Sequence, residues 1–355
     1  MSAYFIAEAG VNHNGDKDIA LQLIDAAVAA GADAVKFQTF SATELASKNA
    51  PKAAYQKDTT DASESQLDML KRLELPRDWH FELRDYCASN GIDFLSTPFD
   101  SPSLHFLVND LKLPTIKVPS GELTNGPFMH EVAKSGSKII LSTGMSTLEE
   151  VRCALGVLAH GLVDPAEAPS LKAFEAAMSS SSGHAALKEC VTVLHCTSAY
   201  PTPLHDANVM AIATLRNTFG LNVGFSDHTE GETASLAAIA LGATVIEKHF
   251  TLDRSLPGPD HKASLQFDEL TVLVKKVRAT EQALGNGIKT PRPSEIDTIT
   301  VARKSLIALS AINKGDTYNT KNIGAKRPGD GKSPMLFWDT LHETAPIDFD
   351  EGEKI

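Results

Sequence analysis

Eight times along this chain a short apolar run gives way to a stretch with apolar residues at helical spacing. That alternation restricts the fold more than any other feature. The runs are Tyr4–Ala9, Ala34–Gln38, Asp93–Ser96, Thr115–Val118, Lys138–Ser142, Val191–His195, Asn222–Phe225 and Thr244–Lys248. Helical patterns follow at Ile19–Ala30, Trp79–Ser89, Leu148–Ala159 and Thr233–Leu241, among others. Gly31-Ala32, Asn90-Gly91 and Gly242-Ala243 punctuate the helix-to-strand turns. Strands that alternate with helices form right-handed βαβ units and a parallel sheet. Eight units predict a closed (β/α)8 TIM barrel. An open doubly wound sheet is the rival, but no G-x-G-x-x-G follows the first run.

Such a barrel takes about 250 residues, and the chain has 355, so a small second domain is expected. Residues 1–284 are assigned to the barrel, and residues 285–302, which open on the Gly- and Pro-rich GNGIKTPRPS, to a linker. Residues 303–355 form an appended β-rich domain. Ala159–Glu189, with DPAEAP and SSSSG, is read as a partly flexible surface insertion. The net charge is −12 without a basic block, which argues against nucleic-acid or membrane partners. Four cysteines without a C-x-x-C pair, and a first segment without a basic n-region or long apolar stretch, predict a cytoplasmic protein.

Barrel active sites lie at the C-terminal ends of the strands, and polar residues collect at those ends here. Lys117, Ser120, Ser142, Thr97 and Ser226 combine a cation with small hydroxyl donors, a set suited to a phosphate or carboxylate anion. Any one serine of the set could instead be a loop cap. Lys36, Lys117 and Lys248 keep a Schiff-base aldolase open, since a desolvated lysine serves that chemistry. His228 and His249 end consecutive strands, which run about 4.8 Å apart. They are candidate ligands for Mn²⁺ or a similar ion, or else hydrogen-bonded wall residues.

The motifs IAEAGVNHNG, AVKFQTF, STPFD, KVPSGEL, ILSTGM, LHC, YPTP, GFSDH, EKHFTLD and PGPDH, in that order, resemble the bacterial sialic acid synthase family, which includes N-acetylneuraminate, legionaminate and pseudaminate synthases. The tail motifs ARKSL, INKGD and KRPGDGKSPM resemble the antifreeze-like (SAF) domain that ends those enzymes. The resemblance implies an enzyme that condenses phosphoenolpyruvate with an open-chain N-acylated mannosamine-type sugar, using Mn²⁺ or Mg²⁺. N-acetylmannosamine is the expected sugar, and 2,4-diacetamido-2,4,6-trideoxymannose, the legionaminate precursor, is the alternative. A non-catalytic sugar-binding protein is the reading of another class. By motif, His228 and His249 correspond to metal ligands and Glu8 to the essential glutamate. Lys117, Thr97, Ser120, Ser142 and Ser226 correspond to phosphoenolpyruvate contacts. Gln38, Glu122, Tyr200 and Asp260 correspond to sugar contacts, and Glu247 to a carboxylate beside the metal. Arg327 corresponds to an arginine that reaches the sugar in the partner subunit, which implies a domain-swapped homodimer. Ser198 stands where the family often has Asn, which weakens a phosphate contact there.

Overall fold

The computed structural model describes residues 2–47, 52, 64–163 and 166–355. It divides into two compact units, Met1–Gly285 and Asn286–Ile355. In the first unit β1 (Tyr4–Gly10), β2 (Ala34–Thr39), β3 (Asp93–Pro98), β4 (Thr115–Val118), β5 (Lys138–Ser142), β6 (Val191–Cys196), β7 (Asn222–Asp227) and β8 (Val245–His249) form one sheet in the order β3-β2-β1-β8-β7-β6-β5-β4. Every hydrogen-bonded pair is parallel. β3 and β4, the two ends of that order, also pack together. With helices between the strands this is a (β/α)8 TIM barrel.

Side chains alternate across a strand with period two, so each strand sorts its residues between barrel interior and helix layer. Ile6, Ala34, Leu95, Ile140, Leu194 and Val245 plug the interior as an apolar cluster of their own. Their neighbours, such as Phe5, Val35, Ile139, Val193 and Ile246, join a larger cluster with helix residues such as Leu23, Ile24, Leu83 and Leu158. Each fully buried large side chain contributes roughly 1.5–3 kcal/mol. The residues two steps beyond the plug are Glu8, Lys36, Thr97, Ser142, Cys196 and Glu247. The apolar layer is therefore a floor, and the polar layer above it faces the mouth.

The segment read as a partly flexible insertion is helical. The helix Leu148–Val163 continues past Ala159, and Leu171–Ser179 and Ser181–Cys190 are further helices. Their serines are caps: Ser170 Oγ accepts from Ala173 N, and Ser180 Oγ from Gly183 N. Ala173, Ala177 and Leu187 are buried. Asp164 and Pro165, within DPAEAP, lie outside the described residues.

In the second unit Ile296–Ala302 is a short helix within the expected linker. β9 (Ser305–Ala308) and β10 (Ile323–Lys326) pair antiparallel. Ala308, Ile312, Tyr318, Ile323, Ala345 and Phe349 make its core. Among the described residues no helix is long and apolar enough to cross a membrane, and all four cysteines are free.

Candidate active site

Strand register assembles the polar layer. Glu8 stands opposite Lys36 on β2 and His249 on β8, and Ser226 stands opposite Glu247. Lys36 Nζ lies 2.6 Å from Glu8 Oε2 and 3.6 Å from Glu247 Oε2, and donates to Thr97 Oγ1 at 3.0 Å. Lys117 Nζ donates to Ser142 Oγ at 2.7 Å and lies 3.7 Å from Glu247 Oε1. Ser226 Oγ donates to that same oxygen at 2.7 Å, and Gln38 Nε2 donates to Glu8 Oε1 at 3.3 Å. Two buried ammonium groups thus share two buried carboxylates. Charges are tolerated in a dry interior when they are paired in this way.

The two carboxylates differ sharply. Burial raises Glu8 and the Glu247 charge adds to it, against the opposing pull of Lys36, so its carboxyl is pushed up to about 7. Burial also works to raise Glu247, but Lys117, Lys36 and the Ser226 hydroxyl overcome it and hold the carboxyl at about 2. Burial lowers Lys117 below its usual range. Burial acts on Lys36 in the same direction, yet Glu247 and Glu8 together hold it above its usual range. Lys36 was legible in the sequence only as a rival Schiff-base lysine. The structure places it between Glu8, Glu247 and Thr97, in the centre of the site.

Lys248 does not belong to the mouth. It alternates outward from Glu247 and His249, lies 3.0 Å from Asp227 Oδ2 and donates to the Thr229 carbonyl. Asp227 also accepts from Thr229 and Ser235.

His228 and His249 come together, with ring centroids 5.5 Å apart. His228 Nδ1 is 2.8 Å from the Thr197 carbonyl, which can only accept, so Nδ1 carries a hydrogen and Nε2 is the atom left to bind a cation. Burial works to lower His228, but Cys196, the Thr197 carbonyl and Glu247 outweigh it and hold the ring above its usual range, so a cation at Nε2 would compete with a proton. Burial, His228 and Lys36 hold His249 well below the usual histidine range, which leaves it neutral. Its Nδ1 is buried without a hydrogen-bond partner and lies 3.8 Å from Asp260 Oδ2. Burial pushes Asp260 up to about 6. Among the described residues no group of three or more His, Cys, Asp or Glu is arranged to hold a metal ion. A closed protein cage is therefore not formed by the described residues, and a cation at the His228–His249 pair would take the rest of its coordination from water or substrate oxygen.

Tyr200 completes a wall, its ring 4.2 Å from His228 and 5.8 Å from His249. A cavity of about 300 Å³ opens beside it, lined by Gln38, Tyr200, His249 and Asp260 and also by Val11, Phe40, Met69, Leu73 and Phe99, which pack together as an apolar cluster. Gly10, at φ +54°, lets three side chains converge. A Cβ there would lie 3.3 Å from Glu8 Oε1, 3.4 Å from Asp260 Oδ2 and 3.4 Å from Gln38 Nε2. Ser120 Oγ accepts from Gly144 N at 2.9 Å, and Ser198 Oγ packs against the same glycine. Glu122 sits on the turn Ser120–Glu122 after β4 and accepts from Asn125 at 2.7 Å, apart from the ion cluster. Arg327 belongs to the second unit, where its Nε donates to the Ala302 carbonyl at 3.1 Å.

Known proteins share this sequence and fold. The chain is 45% identical over 350 residues to N,N'-diacetyllegionaminic acid synthase of Campylobacter jejuni, covering 99% of this chain and 98% of the relative. It is 42% identical to the Legionella pneumophila enzyme of the same name, covering 94% and 88%. The crystal structure of N-acetylneuraminic acid (sialic acid) synthetase from Leptospira borgpetersenii, in complex with citrate, superposes with a TM-score of 0.67 at 30% identity, over 84% of this chain and 90% of that one. Residues 23–289 match the model of the NeuB family. With a match over most of its length and relatives aligned almost end to end, the chain belongs to the NeuB family.

Proposed function

We propose that this protein condenses phosphoenolpyruvate with the open-chain aldehyde of an N-acylated mannosamine-type sugar and with water, giving a sialic acid-type 2-keto sugar acid and phosphate. The observation that carries the reading is the single mouth in which a lysine and hydroxyl cluster faces a histidine pair, with Glu8 between them. Lys36, Lys117, Thr97, Ser142 and Ser226 bind the anion, and Ser120 shapes the adjoining turn with Gly144. The donors held by Glu247 turn toward an incoming phosphate. Gln38, Tyr200, Asp260 and Glu122 orient the sugar. The C2=C3 π pair of phosphoenolpyruvate forms the new C–C bond to the aldehyde carbon. The C=O π pair moves to the aldehyde oxygen, which takes a proton from the Glu8 carboxyl, and C2 is left cationic. Water adds at C2 and gives a proton back to Glu8. The C2–O bond to phosphate then breaks as the new C2 hydroxyl passes its proton to the departing phosphate and becomes the ketone. A carboxyl near 7 suits Glu8 to both of its proton transfers. A divalent cation, Mn²⁺ or Mg²⁺, on His228 and His249 supplies Lewis-acid polarisation of the aldehyde.

The apolar part of the cavity lining, the cluster of Phe40, Met69, Leu73 and Phe99, suits methyl groups better than hydroxyls. With the diacetyllegionaminic acid synthases as relatives at 45% and 42% identity, this favours 2,4-diacetamido-2,4,6-trideoxymannose over N-acetylmannosamine. The tail motifs support an SAF domain and a domain-swapped homodimer in which Arg327 of one subunit serves the sugar in the other, and four cysteines without a C-x-x-C pair support a cytoplasmic protein. Phosphate release and 2-keto acid are measured with phosphoenolpyruvate, Mn²⁺ and either sugar. Turnover is expected with both and higher kcat/KM with the trideoxy sugar. No product with any mannosamine-type sugar refutes the proposal. The lowered Lys117 keeps a Schiff-base lyase as the second reading. Borohydride trapping with pyruvate labels a lysine in that case alone.

A further inference from the structure

Asp260 is carried by the segment between β8 and the helix Phe267–Leu284, whose regular structure is one short turn, His261–Ala263. A carboxylate on such a segment keeps its place only if the backbone beneath it is held. Asn12, in the turn after β1, does this from behind the cavity wall. It is 1% exposed. Its Nδ2 donates to the Phe250 carbonyl at 2.8 Å and to Ser264 Oγ at 3.0 Å. Ser264 Oγ in turn donates to the Asp260 carbonyl at 2.6 Å. Asn12 N is fixed to the Ala9 carbonyl at 2.9 Å, and Phe250 N to the Glu8 carbonyl at 3.0 Å. One uncharged carboxamide therefore ties the end of β1, the end of β8 and the Asp260 segment into a single unit.

We propose that Asn12, acting through Ser264, is a positioning residue that sets Asp260 against His249 and the sugar. The inference rests on the proposed role of Asp260 as a sugar contact. The phosphoenolpyruvate donors Lys36, Thr97, Lys117, Ser142 and Ser226 come from β2, β3, β4, β5 and β7, whereas the hydrogen bonds of Asn12 run to Ala9, Phe250 and Ser264. Its loss thus falls on one substrate.

The test measures KM for each substrate in the full chain with Mn²⁺, for Asn12→Ala, Ser264→Ala and the double variant. The sugar KM is expected to rise on the order of tenfold in each single variant, while the phosphoenolpyruvate KM stays within about twofold. The double variant is expected to be no worse than Asn12→Ala, because both changes cut one chain of bonds. Equal rises in both KM values, or single effects that multiply in the double, overturn the inference. If Asn12→Ala does not fold, the two KM values of Ser264→Ala decide alone. Asp260→Asn separates the two claims. An unchanged sugar KM there refutes Asp260 as a sugar contact. A raised one, with Asn12→Ala and Ser264→Ala silent, refutes the positioning role.

Discussion

Glu247→Gln removes the charge that joins both buried lysines while leaving an oxygen for Ser226 to donate to. In the wild type, Glu247 lies 3.7 Å from Lys117 Nζ and 3.6 Å from Lys36 Nζ. Glu8 alone then faces two ammonium groups from which water is excluded. Breaking a buried pair by removing one partner costs about 3–5 kcal/mol. Lys117, already lowered by burial, limits the loss by giving up its proton, so the low end, about 3 kcal/mol, is expected. In a unit of this size each kcal/mol moves the unfolding midpoint by on the order of 2 °C, and the barrel transition should fall by about 6 °C. Phosphoenolpyruvate returns negative charge to the same lysines. In the wild type, ligand at 100 times its Kd adds about 2.7 kcal/mol. In the variant it should add more, because it also replaces the missing carboxylate. Thermal unfolding with and without ligand reads both effects. A fall below about 1 °C, or a ligand-induced rise smaller in the variant than in the wild type, refutes the reasoning.

Acid should unfold the barrel through its buried histidines. Burial holds His13, His80 and His261 at about 4, whereas an unfolded chain titrates near 6.5. The unfolded state binds the extra protons, so this stability is present above about 6.5 and is lost as pH falls toward 4. At pH 5 the loss is about 2 kcal/mol per histidine. Denaturant unfolding at pH 7 and 5 checks this, His80→Gln should flatten the dependence, and equal stability at both pH values contradicts it. His228→Ala is expected to lower metal affinity, measured by titration calorimetry, and to abolish turnover with the fold intact; full wild-type activity in excess chelator counts against the ligand role. Arg327→Ala is expected to raise the sugar KM at least tenfold and the phosphoenolpyruvate KM little; equal rises argue against the swapped-domain arrangement.

The barrel was readable because parallel strands buried on both faces are near-continuous apolar runs, and each run here ends in polar residues at the mouth. Those endings located Glu8, Gln38, Thr97, Lys117, Ser142, Ser226, His228 and His249. What runs alone do not report is which face a residue takes. Lys36, Lys117 and Lys248 look equivalent as strand-end lysines. Counting in twos from the apolar floor puts Lys36 in line with Ala34 inside and Lys248 in line with Ile246 outside. That count was the missed signal for Lys36. The 159–189 segment was misjudged for another reason. DPAEAP and SSSSG have loop composition, but Ser170 and Ser180 each precede a stretch able to bury Ala or Leu, which is how an N-cap reads. The Asn12–Ser264–Asp260 chain left no trace in the sequence, because it joins residues more than 240 positions apart through side chains common in any loop.

The outward ion pair of Lys248 and Asp227 has a consequence for assembly of the barrel. β7 and β8 are registered with Asp227 opposite Lys248 and Ser226 opposite Glu247. A slip of β8 by one residue would turn Lys248 into the mouth and push Glu247 and His249 into the helix layer. It would also strand Asp227, which is fully buried in that layer, without its counter-charge. The pair thus acts as a latch on strand alignment, made of residues that never meet a substrate. It confines β8 to the one alignment in which Glu247 and His249 both face inward.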